Sequence, residues 1–381
     1  MKSQRSSYDV LRRNKEENKL KLLLAGGGTA GHVEPAIAVA RAFRQKYPDA
    51  EIEFVGTPKG LENILVPASG FKLRHIPKVA ISRKVSPSLL LAPFQLIRAT
   101  AISIKVLRDV DCVIGFGGYV SGPIYLAAAI SRTPFVIHEQ NARPGWANRL
   151  GALFTQYSAI SYPVSRGALS KAELTGLPLR ADVVQALISI EGNWEHSRSS
   201  AKNAVAKHFN LNVEKPIVFI FGGSQGSQAI NAVIEKAESE GTFSGTSIIH
   251  GVGKNNTLPM RSESYVALPY IEDMAELYLA ADLIIARSGA VTCAEVAALG
   301  RYALFIPLPV GNGEQALNAE SLVAANRAMV ISQTDFDAAW LKSNIAGLLK
   351  KSSDRPAMAD SSGLNAVDKI VKLIERASGV Q

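Results

Sequence analysis

Two stretches of this 381-residue chain share one shape: an apolar run that ends in glycines and passes straight into a helix-like segment. The first is KLLLAGGGTAGHVEPAIAVA, Lys21 to Ala40; the second is PIVFIFGGSQGSQAINAVIEKA, Pro216 to Ala237. A short, continuously apolar run is a strand buried on both faces, and strands that alternate with helices must lie parallel, with helices covering both sides of the sheet. The alternation continues after each stretch. EIEFVGT, DCVIGFGG and PFVIHEQN follow the first, each with a helical segment behind it, and SIIHGVG, YVALPY, ADLIIARSG, YALFIPLP and AMVIS follow the second. The expected fold is therefore α/β, with two doubly wound parallel-sheet domains rather than a short-period solenoid. GLPLR, Gly176 to Arg180, breaks the pattern and marks the boundary, with the polar EGNWEHSRSSAKNAV lying between it and the restart. The expected division is a tail at 1–20, a first domain at 21–179 and a second at 180–362, with a terminal helix at 363–381. In that helix Val367, Ile370, Val371, Leu373 and Ile374 form one apolar face, which can pack back on either domain.

Length and composition suit two cores, with 47% hydrophobic and 20% charged residues. The two cysteines, Cys112 and Cys293, sit among small apolar residues, which suits buried thiols in a reducing compartment better than a disulfide. No run approaches the length of a membrane-spanning helix, and no apolar segment follows the basic N-terminus as in a secretory signal, so a cytosolic protein is expected. Charge is uneven. Residues 1–178 carry 24 Lys and Arg against 12 Asp and Glu, and the rest 18 against 21. An anionic partner of the first half would explain this, whether nucleic acid, a membrane surface or a phosphorylated substrate.

Ligands of open parallel sheets bind beyond the carboxyl ends of the strands, so the loops there carry the chemistry. Three are glycine-rich: Gly26 to Gly31, Gly115 to Gly118 and Gly222 to Gly226. Such loops let backbone amides surround a phosphate. The first matches the dinucleotide pattern G-x-G-x-x-G, but the acid that should hold a ribose is at the wrong end of the next strand. Glu51 and Glu53 open that strand, and Phe54 to Thr57 close it. His32, just past the glycines, is placed to take or orient a proton. His138, Glu139, Gln140 and Asn141 also follow a strand directly, a set suited to sugar hydroxyls or an acceptor phosphate. In the second half, ARSGAVTCAE puts Glu295 on the first turns of a helix whose N-terminus suits a diphosphate, with ribose hydroxyls on the carboxylate. Gln315 and Asn318 share a helix face. The triplets Asp109-Val110-Asp111 and Asp335-Phe336-Asp337 read as caps or turns, not a metal site.

Taken in order, GGGTAGHVEPA, GFGGYVSGP, HEQN, FGGSQGS, RSGAVTCAE and EQALNA resemble the MurG family, bacterial enzymes that attach N-acetylglucosamine to undecaprenyl-pyrophosphoryl-muramyl-pentapeptide. The likeness runs from about Lys21 to Ser378. It implies a GT-B fold of two Rossmann-like domains facing a cleft, with the C-terminal helix returning to the first domain. It also implies UDP-N-acetylglucosamine as donor, without a metal ion, a cofactor or nucleic acid. Carried over, Thr29, Ala30, Gly31 and Asn141 approach the donor from the first domain. From the second come Arg180, Ser224, Ile271 beside the uracil, the run Ala290, Val291, Thr292, Cys293, Ala294 and Glu295, then Gln315 and Asn318. Ala30 and Glu34 depart from the family pattern, which favours glycine and an apolar residue there. His32 is the first choice for the acceptor proton and Glu139 the second. Leu89, Leu90, Leu91, Phe94 and Ile97, ringed by Arg83, Lys84, Arg98, Lys105 and Arg108, suit peripheral docking on the anionic cytoplasmic face of the cell membrane, where the lipid acceptor resides. The rival readings are another glycolipid transferase, a UDP-sugar epimerase, an NAD-dependent oxidoreductase and a non-catalytic nucleotide-binding module.

Overall fold

The computed structural model describes residues 19–79, 88–309, 312–354 and 359–380. The first sheet has seven parallel strands in the order β3-β2-β1-β4-β5-β6-β7. They are β1 Lys21–Ala25, β2 Glu51–Gly56, β3 Lys72–His75, β4 Cys112–Gly115, β5 Phe135–Glu139, β6 Ser158–Ile160 and β7 Glu173–Leu174. The second has six parallel strands in the order β10-β9-β8-β11-β12-β13. These are β8 Ile217–Phe221, β9 Ser247–Gly251, β10 Tyr265–Leu268, β11 Leu283–Ala286, β12 Ala303–Phe305 and β13 Ala328–Val330. Strand order reverses between β1 and β4 and again between β8 and β11, so each sheet has a switch point from which neighbouring loops diverge and leave a crevice.

Burial on both faces explains the apolar runs. Leu22 and Leu24 enter one core layer of the first domain and Leu23 and Ala25 the opposite one. Across the sheet Leu24 is in register with Phe54 on one side and Ile114 on the other. The second sheet divides in the same way, Phe219 and Phe221 on one face, Val218 and Ile220 on the other.

The polar stretch after the boundary is part of the second domain. It forms most of a helix, Trp194–Phe209, whose Ala201, Val205 and Ala206 pack into the second core. Three buried residues on one side of an otherwise polar helix give little apolar signal, which is why the sequence pattern passes over it. Leu179 also packs into the second core. Past a turn at Ser361–Asn365 the chain returns to the first domain as the helix Ala366–Ser378. Ile370, Val371, Leu373, Ile374 and Ala377 there close the core layer that holds Leu22 and Leu24. Residues 1–18 of the expected tail, and Arg83 and Lys84, lie outside the described residues.

Candidate active site

The carboxyl ends of both sheets face a single cleft of about 710 Å³. The first domain contributes Thr29, Ala30, Gly31, His32 and Glu34 from the start of the helix Ala30–Lys46, and Gln140 and Asn141 from the end of β5. The second contributes Arg180, the glycine loop with Ser224, Ile271, Gln315, and the start of the helix Ala290–Ala298 with Val291, Thr292 and Glu295. The first amides of that helix have no intrahelical acceptor and carry the positive end of its dipole.

His32 faces the second glycine loop, where a Cβ added at Gly118 would come 3.4 Å from its ring Cδ2. Gly118 has φ +79 and leaves no room for a side chain, since an added Cβ would come 3.0 Å from the Gly27 carbonyl oxygen. The ring's Nδ1 lies 3.0 Å from Gln140 Oε1. An amide oxygen only accepts, so the neutral imidazole keeps its proton on Nδ1 and its lone pair on Nε2.

The first glycine loop does not offer all its amides to a ligand. Glu62, fully buried, accepts from Gly28 N at 2.8 Å through Oε2 and from Thr57 N at 2.8 Å and Thr57 Oγ1 at 3.0 Å through Oε1. A carboxylate of the chain itself thus occupies part of the loop that resembles a dinucleotide cradle. Sequence reading looked for an acid on β2 and missed this one, which comes from the helix that follows, Glu62–Ala68. The third loop is different. Gly226 has φ +75, and a Cβ there would fall 1.9 Å from the Val252 carbonyl oxygen, so only glycine lets the loop fold tightly beside β9.

Across the cleft Glu295 is 0% exposed and holds a bidentate pair with Arg180, Nε to Oε1 at 2.7 Å and Nη2 to Oε2 at 2.8 Å. Tyr278 adds its hydroxyl to Oε2 at 3.0 Å. Burial opposes the charge on Arg180, but Glu295 outweighs it and leaves the guanidinium pKa raised. Burial also raises the pKa of Glu34, an effect that Arg180 opposes and that Glu295 and Asp182 reinforce. Arg287, not singled out from the sequence, also lines the cleft. It ties Ser227 Oγ at 2.8 Å and Gln333 Oε1 at 2.6 Å to the carbonyls of Ile306 and Pro307.

Four expected site residues do not line the cleft. Glu139 is 2% exposed. Its carboxylate accepts from Asn141 N, Gly145 N and Asn148 Nδ2, all at 2.9 Å, so it shapes the loop after β5. Asn318 is fully buried and joins the two domains, accepting from Ala142 N at 2.9 Å and donating to Asn141 Oδ1 and the Ser288 carbonyl, both at 3.2 Å. Cys293 is buried, its thiol pKa pushed up by burial, and Ala294 packs against the second core. A helix presents only part of its circumference to a cleft, so the run 290–295 divides between ligand side and core side. His138 likewise turns inward, its Nε2 3.0 Å from the Gly176 carbonyl oxygen. Of the D-x-D acids, Asp337 caps the helix Ala338–Ser353, accepting from Trp340 N at 2.7 Å, and Asp111 accepts from Lys21 N at the start of β1 at 2.9 Å.

Residues 22–159 match the glycosyltransferase family 28 N-terminal domain and residues 217–374 the family 28 C-terminal domain. A protein of Corynebacterium glutamicum (strain R) is 40% identical over 344 residues, 90% of this chain and 93% of its own. One of Thermobifida fusca is 39% identical over 349 residues, 90% of this chain and 89% of its own. Both are named UDP-N-acetylglucosamine--N-acetylmuramyl-(pentapeptide) pyrophosphoryl-undecaprenol N-acetylglucosamine transferase. Among solved structures, MurG of Acinetobacter baumannii superposes with a TM-score of 0.68 at 28% identity, covering 94% of this chain and all of that one. The UDP-GlcNAc 2-epimerase of Neisseria meningitidis, at 15% identity and TM-score 0.59 over 94% of this chain, shares the fold.

Proposed function

The chain belongs to glycosyltransferase family 28, among the N-acetylglucosamine transferases just described, and from that membership we propose that it moves N-acetylglucosamine from UDP-N-acetylglucosamine to lipid-linked N-acetylmuramyl-pentapeptide in peptidoglycan synthesis. The observation that carries this reading is the two-sided cleft, with a histidine of defined tautomer on one wall and a helix N-terminus beside an Arg–Glu pair on the other.

The donor lies against the second domain. Ile271 flanks the uracil, and the amides of Ala290 to Thr292 and the loop of Ser224 face the diphosphate. Arg180 leaves Glu295 for the diphosphate, and two ribose hydroxyls take its place on the carboxylate. This exchange keeps each charge partnered. Gln315 faces the sugar, and Thr29, Ala30, Gly31 and Asn141 close over it from the first domain. The muramyl C4 hydroxyl enters beside His32. Its oxygen attacks C1 of the α-linked donor while its proton passes to His32 Nε2. A β-1,4 bond forms, the bond from C1 to the diphosphate oxygen breaks, and UDP leaves with the electron pair. Helix amides and Arg180 stabilise the charge that develops on UDP. Glu139, enclosed in its loop, holds Asn141 in position.

The acceptor is lipid-borne, and a face of the first domain suits a peripheral approach to an anionic membrane. No helix among the described residues is long and apolar enough to cross one. On the helix Ser88–Val106, however, Phe94 and Ile97 are 70% and 67% exposed, Arg98 and Lys105 of the same helix are exposed, and so is Arg108 just past its end. Apolar side chains ringed by cations are the arrangement that anionic lipid takes up.

The deciding experiment measures UDP release with UDP-N-acetylglucosamine and a short-chain lipid-linked muramyl acceptor, with UDP-glucose and UDP-galactose as controls. Release should require the acceptor and favour the N-acetylated donor. Conversion of the donor to its 2-epimer without acceptor would replace this reading with an epimerase.

A further inference from the structure

One buried amide ties the two domains together beside the cleft. Asn318 ends the helix Glu314–Asn318, one turn after Gln315, which lines the cleft. Its side chain is fully buried, and both ends of the amide are used. Oδ1 accepts from Ala142 N at 2.9 Å, and Nδ2 donates to Asn141 Oδ1 and to the Ser288 carbonyl oxygen, both at 3.2 Å. Ala142 and Asn141 belong to the first domain and Ser288 to the second. Next to them Arg143 adds another tie, donating across the boundary to the Asn312 carbonyl oxygen.

What Asn318 grips bears on the chemistry from both sides. In the first domain Asn141 follows Gln140, the buried side chain that holds His32 Nδ1 at 3.0 Å. Asn141 is fixed from behind as well, since Glu139 Oε1 accepts from its N at 2.9 Å and its Nδ2 at 3.3 Å. In the second domain Ser288 stands two residues before Ala290, where the helix that faces the cleft begins. The amide thus connects the support of the base to the seat of the donor. In the proposed reaction base and donor are held by different domains, so the gap between the reacting atoms is set by how the domains sit against each other. Such a gap has to be held near 3 to 3.5 Å, and a misplacement of about 1 Å is costly. An asparagine suits this task because it offers an acceptor to one backbone N–H and donors to two oxygens at once. An aspartate of the same shape would only accept and would face those two oxygens with a third.

We propose that Asn318 is a positioning residue for the transfer: without touching either substrate, it holds the segment Gln140–Ala142, and through Gln140 the ring of His32, in register with the donor seat. This rests on the transfer reading given above. It gives a role to a polar side chain that turns away from the cleft, and it separates two duties on one short helix, Gln315 toward the sugar and Asn318 toward the other domain.

The test uses the full chain and two readouts. Asn318→Ala should lower kcat about 10- to 10²-fold, the scale on which a misplacement of about 1 Å acts, and leave the donor Kd in calorimetry nearly unchanged. Spin labels on Lys59→Cys and Asn255→Cys then report the spacing of the domains. Both positions are exposed, beyond the carboxyl ends of β2 and β9, and the native Cys112 and Cys293 are buried. The distance between labels should lengthen or broaden in Asn318→Ala. Arg143→Ala removes the neighbouring tie from an exposed side chain and should move both readouts the same way by less. It keeps the test standing if thermal unfolding shows that Asn318→Ala has lost its fold. An unchanged distance or an unchanged kcat overturns the proposal. So does a donor Kd that worsens as much as kcat falls, which would place the effect of Asn318 inside the donor seat through Ser288. The distance needs no turnover, so a parent without acceptor-dependent UDP release would sink the transfer reading separately from the tie between the domains.

Discussion

At the scale of single residues, the cleft separates groups that touch a substrate from groups that hold those groups in place. In the proposed mechanism His32 belongs to the first kind. His32→Ala should lower kcat by about 10²- to 10⁴-fold, the span of general-base contributions, and leave the donor Kd nearly unchanged; single-turnover rates beside equilibrium donor binding make the check. Glu295 is tested by Glu295→Gln, which should weaken UDP binding about tenfold or more in calorimetry, with a smaller effect on the rate at saturating donor. His32 and Glu295 are legible in the sequence because each follows a strand end and opens a helix. Glu139, the last residue of β5, and Asn318, at the end of the helix Glu314–Asn318, are polar residues at the same edge of their sheets, yet both turn inward. Which way a polar side chain turns depends on donors outside its own motif: Gly145 and Asn148 on the loop and helix after β5 for Glu139, and Ala142 of the other domain for Asn318. Local pattern carries no record of these. Two buried histidines set an acid limit on stability. Burial lowers His138 and His250 to about 4. Between pH 6.5 and 4 the unfolded chain binds a proton at each ring that the folded protein refuses, so stability falls with pH across that window, by on the order of 3 kcal/mol per ring. Unfolding free energies measured against pH should show a shallower fall in His250→Gln than in the parent.

At the scale of elements, the strands and glycine turns announce themselves, because burial on both faces leaves an unbroken apolar run and a tight turn requires glycine. β3, β6 and β7 do not. They are short, lie toward the sheet edges and carry mixed residues, as in Lys72–His75. The first glycine turn shows where a motif misleads. Its letters fit a dinucleotide, but Glu62 from the following helix fills Gly28 N, and only the folded chain brings the two together. The helix Ala366–Ser378 has the strongest apolar face in the sequence, and the structure shows that this face covers the first domain. Ile370 is fully buried there. Ile370→Ala should cost about 2 to 5 kcal/mol of stability, as buried isoleucine truncations do, measured by denaturant unfolding.

At the scale of the whole molecule, the division of labour is also electrostatic. The basic surplus belongs to the half that carries Phe94 and Ile97, so the proposed lipid approach and the proposed donor binding fall to different domains. Replacing Phe94 and Ile97 together by serine should lower binding to anionic phospholipid vesicles about tenfold or more in co-sedimentation, from the apolar area withdrawn. Added salt should weaken what remains, and turnover of a water-soluble acceptor should persist. The return of the last helix to the first domain has a consequence of another kind, for biosynthesis. A ribosome delivers Leu22 and Leu24 about 350 residues before Ile370 to Ile374, yet these side chains share one core layer. The domain made first therefore waits, with an open apolar face, until the domain made second has left the exit tunnel. Domains usually complete themselves in order of synthesis; here the later one finishes first. A circular permutant that starts at the last helix and runs on into β1 would remove the wait, and should be less dependent on chaperones than the natural order.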